Sequence, residues 1–146
     1  MNNALLLLAR LLLSVMFIMA GGSKFADPAS TAGMISQAGL PAATALTYLA
    51  GIFELVAGLA ILAGFQTKIA SILLALFCVF TALVFHSGAI NIPDFPAGAN
   101  GLLTLFNSLM MMKNIAIAGG FLGLAVAGAG AWSVDGARGG TKPAYA

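Results

Sequence analysis

Charge is what this chain has least of. Asp, Glu, Lys and Arg make up 7% of its 146 residues, against roughly a quarter in an ordinary soluble domain. A soluble fold of that size could not cover its surface with so few ionic groups. Hydrophobic residues make up 61% and mean hydropathy is +1.05, so the bilayer is the solvent the chain is built for. Cysteine occurs once, at Cys78, which excludes an intrachain disulfide and a CxxC redox pair. Histidine also occurs once, at His86, which excludes a bis-histidine haem held within this chain. The basic residues Arg10, Lys24, Lys68, Lys113, Arg138 and Lys142 are scattered, so nucleic acid is excluded as a partner.

What remains reads as four spans. Ala4–Gly22 is apolar apart from Arg10 and Ser14. A signal peptide would need a basic residue in "MNN" and no arginine in its apolar stretch, so this is a retained span. The second span covers about Thr44–Gly64, with Pro41 before its start and Gly64 at its stop. The third covers about Lys68–His86, and the fourth about Met110–Trp132, with Trp132 as an interfacial anchor. Each approaches the ~20 residues that cross ~30 Å of hydrocarbon, and each must be helical because lipid offers the backbone no partners. In "ADPASTAGMISQAGLP" (26–41), Asp27 caps a short surface helix over 28–37, with Pro28 at its first position and Gly39 at its end. The stretch 86–107, with Pro93, Pro96 and three glycines, is expected to be a re-entrant or interfacial loop over 87–107 that caps the bundle. The Gly-rich tail from 135, "DGARGGTKPAYA", is expected to be disordered, the single domain ending near 136. With both termini in the cytoplasm, Lys68, Arg138 and Lys142 fall on the positive side, as the positive-inside rule prefers.

Ionisable groups at bilayer depth are costly and face a partner or a polar cavity. Arg10, Ser14, Phe17, Gly21 and Lys24 recur at four- and three-residue steps and share one face of the first helix. Glu54 stands alone in "LAGIFELVAGLAILAG" (49–64), near mid-depth of the second. Depth alone points to a structural Arg10–Glu54 ion pair. Lys24, His86 and Lys113 would form a polar rim, and together with Glu54 and Arg10 they are the candidate ligand pocket. Such a pocket, open to lipid, would suit a quinone head, whose carbonyls need hydrogen-bond donors and whose reduction needs protons. The alternative is an ion-pair network that only fixes helix register. A proton path is the third reading, but no inverted repeat or broken helix pair supports a transporter.

Other features read as packing. "MMMK" (110–113) points its three methionines in three directions, so they cannot share one ion, and no metal site is expected. Cys78 is a buried, inert thiol. Asn91, Asn100, Asn107 and Asn114 are candidates for hydrogen bonds within the lid or between helices. Gly51, Ala57 and Gly58 make the Glu54 face a small-residue face, and Ala116, Gly119, Gly123 and Ala127 recur along the fourth span. Such stripes allow close helix approach, so the second and fourth spans are expected to pack tightly, either inside this bundle or against another membrane subunit.

In order and spacing, "ARLLLSVMFIMAGGSKF" (9–25), "AGLP" (38–41), "AGIFELVAGLAILAGFQTKIA" (50–70), "KNIAIAGGFLGL" (113–124) and "GAGAWSVDG" (128–136) resemble the DoxX family of small four-span bacterial membrane proteins. The matching positions are Arg10, Lys24, Glu54, Lys113, Asn114, Ser133 and Asp135, with His86 where related sequences often carry histidine. The resemblance implies an inner-membrane protein similar to the membrane subunit of a thiosulfate:quinone oxidoreductase, to partners of redox-stress enzymes, or to assembly factors. This chain lacks a second domain with cofactor motifs, so any electron transfer needs a partner that brings the redox centre. The expectation is an all-α polytopic four-helix bundle, with no catalytic residue and no covalent cofactor. It would be surrounded by lipid and joined to other membrane subunits. It would serve as the quinone-contacting anchor of a redox complex or, alternatively, as a non-enzymatic accessory subunit.

Overall fold

A computed structural model describes residues 2–139. Among these the elements are α1 (Asn2–Ala26), α2 (Pro28–Gln37), α3 (Ala43–Ala63), α4 (Thr67–Phe85), α5 (Ala97–Ala127) and α6 (Val134–Ala137), with no strand. α1, α3, α4 and α5 are long and apolar enough to cross a membrane. They alternate in direction. One end of the bundle, the Asn2 end, carries the α3–α4 turn and α6; the other, the α2 end, carries α2 and the α4–α5 loop.

The distribution of polarity is the reverse of a soluble protein's. Arg10, Ser14, Thr47, Glu54, Thr67 and Ser71 are buried, while Leu12, Met19, Val56, Leu76 and Val126 are all more than 60% exposed. That outward apolar surface is what acyl chains would cover. α1 buries Arg10, Ser14, Phe17 and Gly21, the face its spacing marks out.

α1 packs chiefly on α3, and α4 chiefly on α5. Small residues set the first contact. A Cβ on Gly21 would lie 2.8 Å from the Gly51 carbonyl oxygen, and one on Gly58 would lie 3.0 Å from Ile18 Cγ1. Gly21→Val therefore pushes against the α3 backbone as well as the Leu55 side chain, and is expected to cost about 1–3 kcal/mol of stability; thermal melting in detergent reads it. The second span packs tightly inside the bundle, as expected, and its partner is α1, not the fourth span. The Gly51–Gly58 face of α3 belongs to α1, and the α5 stripe turns outward: Ala116, Gly119 and Gly123 are exposed, with no atom within 4 Å of a Cβ added at Gly119 or Gly123.

The two helix pairs are joined in the half nearer Asn2. There Phe17 meets Phe121 edge-on with ring centroids 5.4 Å apart, and Ile61, Leu74, Ala75 and Leu124 complete a dry core. Towards α2 the pairs part.

α2 has the anticipated bounds. Asp27 Oδ1 accepts the Ser30 N–H at 3.3 Å, and Gly39 leaves the helix at φ +74°. The fourth span differs from expectation. α5 starts directly after Pro96 and runs 31 residues, ~46 Å of rise, so the loop is confined to 86–96 and residues 97–107 are helix. The cause is a polar stripe. Asn100, Thr104 and Asn107 lie on one face of α5 and bind the loop backbone: Ile92 N–H and C=O to Asn100, Ile90 N–H to Thr104, and Gly88 C=O to Asn107. These partners keep Gly98 and Gly101 helical. Gly128 and Gly130, both at φ +78°, end the helix before Trp132. The tail expectation is corrected at its start: Ser133 caps α6 by accepting the Gly136 N–H at 2.9 Å, and Asp135 is held as described below. Residues 140–146 of the expected tail lie outside the described residues.

Candidate functional site

Where the helix pairs part, they enclose a cavity of about 690 Å³ bounded by α1, α2, α3, α4 and the middle of α5. Most of its wall is apolar, including Met16, Phe53, Leu76, Phe77 and Phe80. Four of the five residues expected in a ligand pocket line it: Lys24, Glu54, His86 and Lys113. Asn114, Thr81 and Cys78 line it as well.

Lys24 and Glu54 form the charged part of the wall. Lys24 Nζ donates to Glu54 Oε2 at 2.7 Å and to the Ala20 carbonyl at 3.3 Å, and the two side chains are 14% and 6% exposed. The expected Arg10–Glu54 pair is therefore replaced by Lys24–Glu54. Two physical reasons account for the exchange. The register, with Gly51 beside Lys24 and Gly58 beside Phe17 and Ile18, sets Glu54 level with Gly21, within about one helical turn of Lys24 and ~16 Å of rise from the level of Arg10. Side chains on a helix also lean towards its N-terminus. On antiparallel α1 and α3, Lys24 and Glu54 lean towards each other, whereas Arg10 leans away towards the Asn2 end.

The rest of the polar lining is held by pairs. His86 Nδ1 lies 2.8 Å from Asn107 Oδ1, and Asn107 Nδ2 donates to Gly88 C=O at 2.9 Å. The second bond fixes the amide, so Nδ1 carries the imidazole proton in the neutral ring and Nε2 is left as the free acceptor. Asn114 Nδ2 donates to Thr81 Oγ1 at 3.2 Å and keeps a second N–H; Lys24 keeps a third. Asn107 and Asn114 are among the asparagines expected to hydrogen-bond in the lid or between helices; Thr81 was not distinguished in the sequence. The only available signal for Asn107 was its four- and three-residue spacing from Asn100 through Thr104.

Arg10 lies outside the cavity and is 1% exposed. Its guanidinium donates to Leu62 C=O at 3.3 Å and to Trp132 C=O. It thereby satisfies a carbonyl of the last turn of α3, where the helix dipole favours a cation. Gly64, at φ +66°, leaves the space; a Cβ there would overlap the guanidinium. Beside it, Asp135 accepts the Gln66 and Thr67 N–H groups, each at 2.9 Å, while its own N–H donates to Gly64 C=O at 2.9 Å. Asp135 thus caps α4 from a distance of 68 residues in sequence. Partial burial alone would raise its carboxyl; the Thr67 and Gln66 N–H bonds and the charge of Arg138 outweigh that and hold it below its ordinary value of 3.8. A depressed folded-state pKa gives stability that is present above the ordinary value and lost as pH falls through the folded one. Asp135→Asn is accordingly expected to lower stability by about 1 kcal/mol at pH 7, with the difference from wild type shrinking below pH 3.8 when melting is followed against pH.

The chain as a whole is similar to known proteins. The DoxX family model matches residues 5–87. The chain belongs to the DoxX family. It is 40% identical over 129 residues to Inner membrane protein YqjF of Escherichia coli (strain K12), covering 88% of each chain. It is 31% identical over 131 residues to Inner membrane protein YphA of the same organism, covering 90% of this chain and 88% of that one. No solved structure matches it. The DoxX match spans α1 to the His86 end of α4, and so includes Arg10, Lys24, Glu54 and His86 but neither Lys113 nor Asp135.

Proposed function

We propose that this DoxX protein is an inner-membrane subunit that holds the head of a lipid-soluble carbonyl compound, a quinone, in the cavity at the α2 end, and that a partner protein brings the redox centre. Both termini would then face the cytoplasm and the cavity the outer leaflet, an arrangement supported by Lys68 and Arg138 at the Asn2 end.

The observation that carries the reading is the cavity itself. Its volume of about 690 Å³ falls in the ~300–1,000 Å³ range of small-molecule sites, mostly apolar with a few convergent polar groups. The residues fit the ligand's chemistry. The spare N–H groups of Lys24 and Asn114 are donors for carbonyl oxygens. Neutral His86 offers Nε2 as acceptor for a quinol hydroxyl, and protonated His86 offers a further donor. Aromatic Phe53, Phe77 and Phe80 supply flat apolar wall for a ring.

The test is binding of a decyl-tailed benzoquinone to the full-length protein in lipid nanodiscs. Saturable uptake is expected, weakened at least about tenfold by His86→Ala or Asn114→Ala, the loss of one or two hydrogen bonds to the head. Uptake that is non-saturable, or unchanged from wild type in both variants, would contradict the reading. A second reading, as an accessory subunit of a larger assembly, is favoured by the outward Ala116–Gly119–Gly123 face of α5. Stoichiometric co-purification with other membrane subunits and no bound quinone would select it.

A further inference from the structure

The cavity shares two of its wall side chains with a neighbouring hollow. Phe53 and Leu73 line it, and the same two side chains also line a second hollow, of about 670 Å³, on the lipid-facing seam between α3 and α4. From Phe53 this groove follows α3 to Ala63, ten residues or ~15 Å of rise. Its floor is built from small residues: Ala57, Ala60, Ala63 and Ala70. Gln66, at the far end, is its one polar lining residue.

The two hollows differ in chemistry as the two parts of one amphipathic molecule do. The first gathers nearly all the ionisable and amide groups of the membrane interior. The second offers no hydrogen-bonding side chain along α3, so a head group gains nothing there. A chain of hydrocarbon gains contact on both sides, with Val56 and Ile69 as flanking walls. Because Phe53 and Leu73 belong to both, a ligand seated by its head beside Glu54 can continue past them without crossing a polar surface.

We infer that the α3–α4 groove holds the apolar tail of the molecule whose head occupies the cavity, so that the ligand is a long-tailed, polyprenyl-type lipid whose tail runs past Phe53 and Leu73 towards the Asn2 end. This rests on the proposed head site. The tail sits in a fixed path instead of mixing freely with the acyl chains, and Ala57 and Ala60 are small because the tail passes over them.

The test uses the full chain in nanodiscs and two photoreactive polyprenyl benzoquinones, one with a diazirine beside the ring and one with it on the third isoprene unit. The expected result is ring-probe labelling around Glu54 and His86, and tail-probe labelling at Val56, Ala60 and Ile69, both displaced by unlabelled quinone. Ala60→Trp, which fills the groove from an already half-buried position, is expected to abolish tail labelling and leave ring labelling intact. Ala63→Trp, at an exposed position, does the same near the groove's end and guards against misfolding of the first variant. Ring labelling that is retained while tail labels scatter over Leu12, Leu83 and Leu102 would overturn the groove assignment and leave the head site standing. Ring labelling that unlabelled quinone cannot displace would overturn both.

Discussion

Arg10→Ala is expected to unfold the Asn2 end of the bundle. The guanidinium binds the carbonyls of Leu62 and Trp132, one at the end of α3 and the other in the segment after α5. Truncation leaves both acceptors unpaired in a dry site and opens a void among α1, Gly64 and Ser133. Each buried acceptor left unpaired costs about 1–3 kcal/mol, so the two together are a large part of any domain's stability. Arg10→Lys should recover only part of the loss, since a point-charge ammonium cannot spread over two divergent acceptors as a planar guanidinium does. The loss is read by thermal melting in detergent, and by protease access to the 128–139 segment, which should rise in both variants. The α2-end cavity lies at the other end of the molecule, so low-temperature ligand uptake by Arg10→Lys should be near normal.

The second large effect concerns Lys24 and Glu54. Lys24→Met strands a carboxylate 4% exposed on its residue in the middle of α3, and is expected to cost about 3–5 kcal/mol. Glu54→Leu should cost less. Lys24 sits two residues from the end of α1 and can swing its ammonium out to the headgroups once released. Combining Lys24→Met with Glu54→Leu should restore stability to within about 1 kcal/mol of wild type or better, because isosteric apolar replacement of a buried ion pair is often neutral or stabilising. The double variant is the informative one. If the pair only fixes helix register, a stable double variant loses nothing else. If it serves the cavity, the double variant folds and fails to hold the quinone head. The thermodynamic cycle, measured by melting in detergent, gives the coupling between the two side chains.

What could be read from the sequence follows from which forces are local. The four spans and α2 were legible because hydropathy, Asp27–Pro28 and Gly39 act within a few residues. The buried face of α1 was legible from period alone, since Arg10, Ser14, Phe17 and Gly21 keep their spacing whatever they meet. The partners of the charges were not. Depth placed Arg10 opposite Glu54, but side-chain lean and the Gly21–Gly51 contact decide the pairing, and Arg10 was satisfied by carbonyls, which every residue possesses and no sequence pattern marks. The start of α5 was missed for a similar reason. Pro93, Pro96, Gly98 and Gly101 argue locally against helix, and the argument is overridden by Asn100, Thr104 and Asn107 binding a loop that is itself irregular. Asp135, placed in a Gly-rich tail, caps a helix that begins at Thr67, and nothing in its own neighbourhood points there. The cavity was legible as a set of residues, Lys24, Glu54, His86 and Lys113, because antiparallel spans bring the same ends together; its shape was not.

The most direct measurement is native mass spectrometry of the full-length protein, released from membranes in mild detergent, beside an Ala50→Trp variant whose indole fills the cavity from its lining. One quinone-bearing adduct is expected on the wild-type chain and none on Ala50→Trp, with equal folding of the two. A wild-type chain free of any such adduct, or the same adduct on both, would contradict the proposed quinone site.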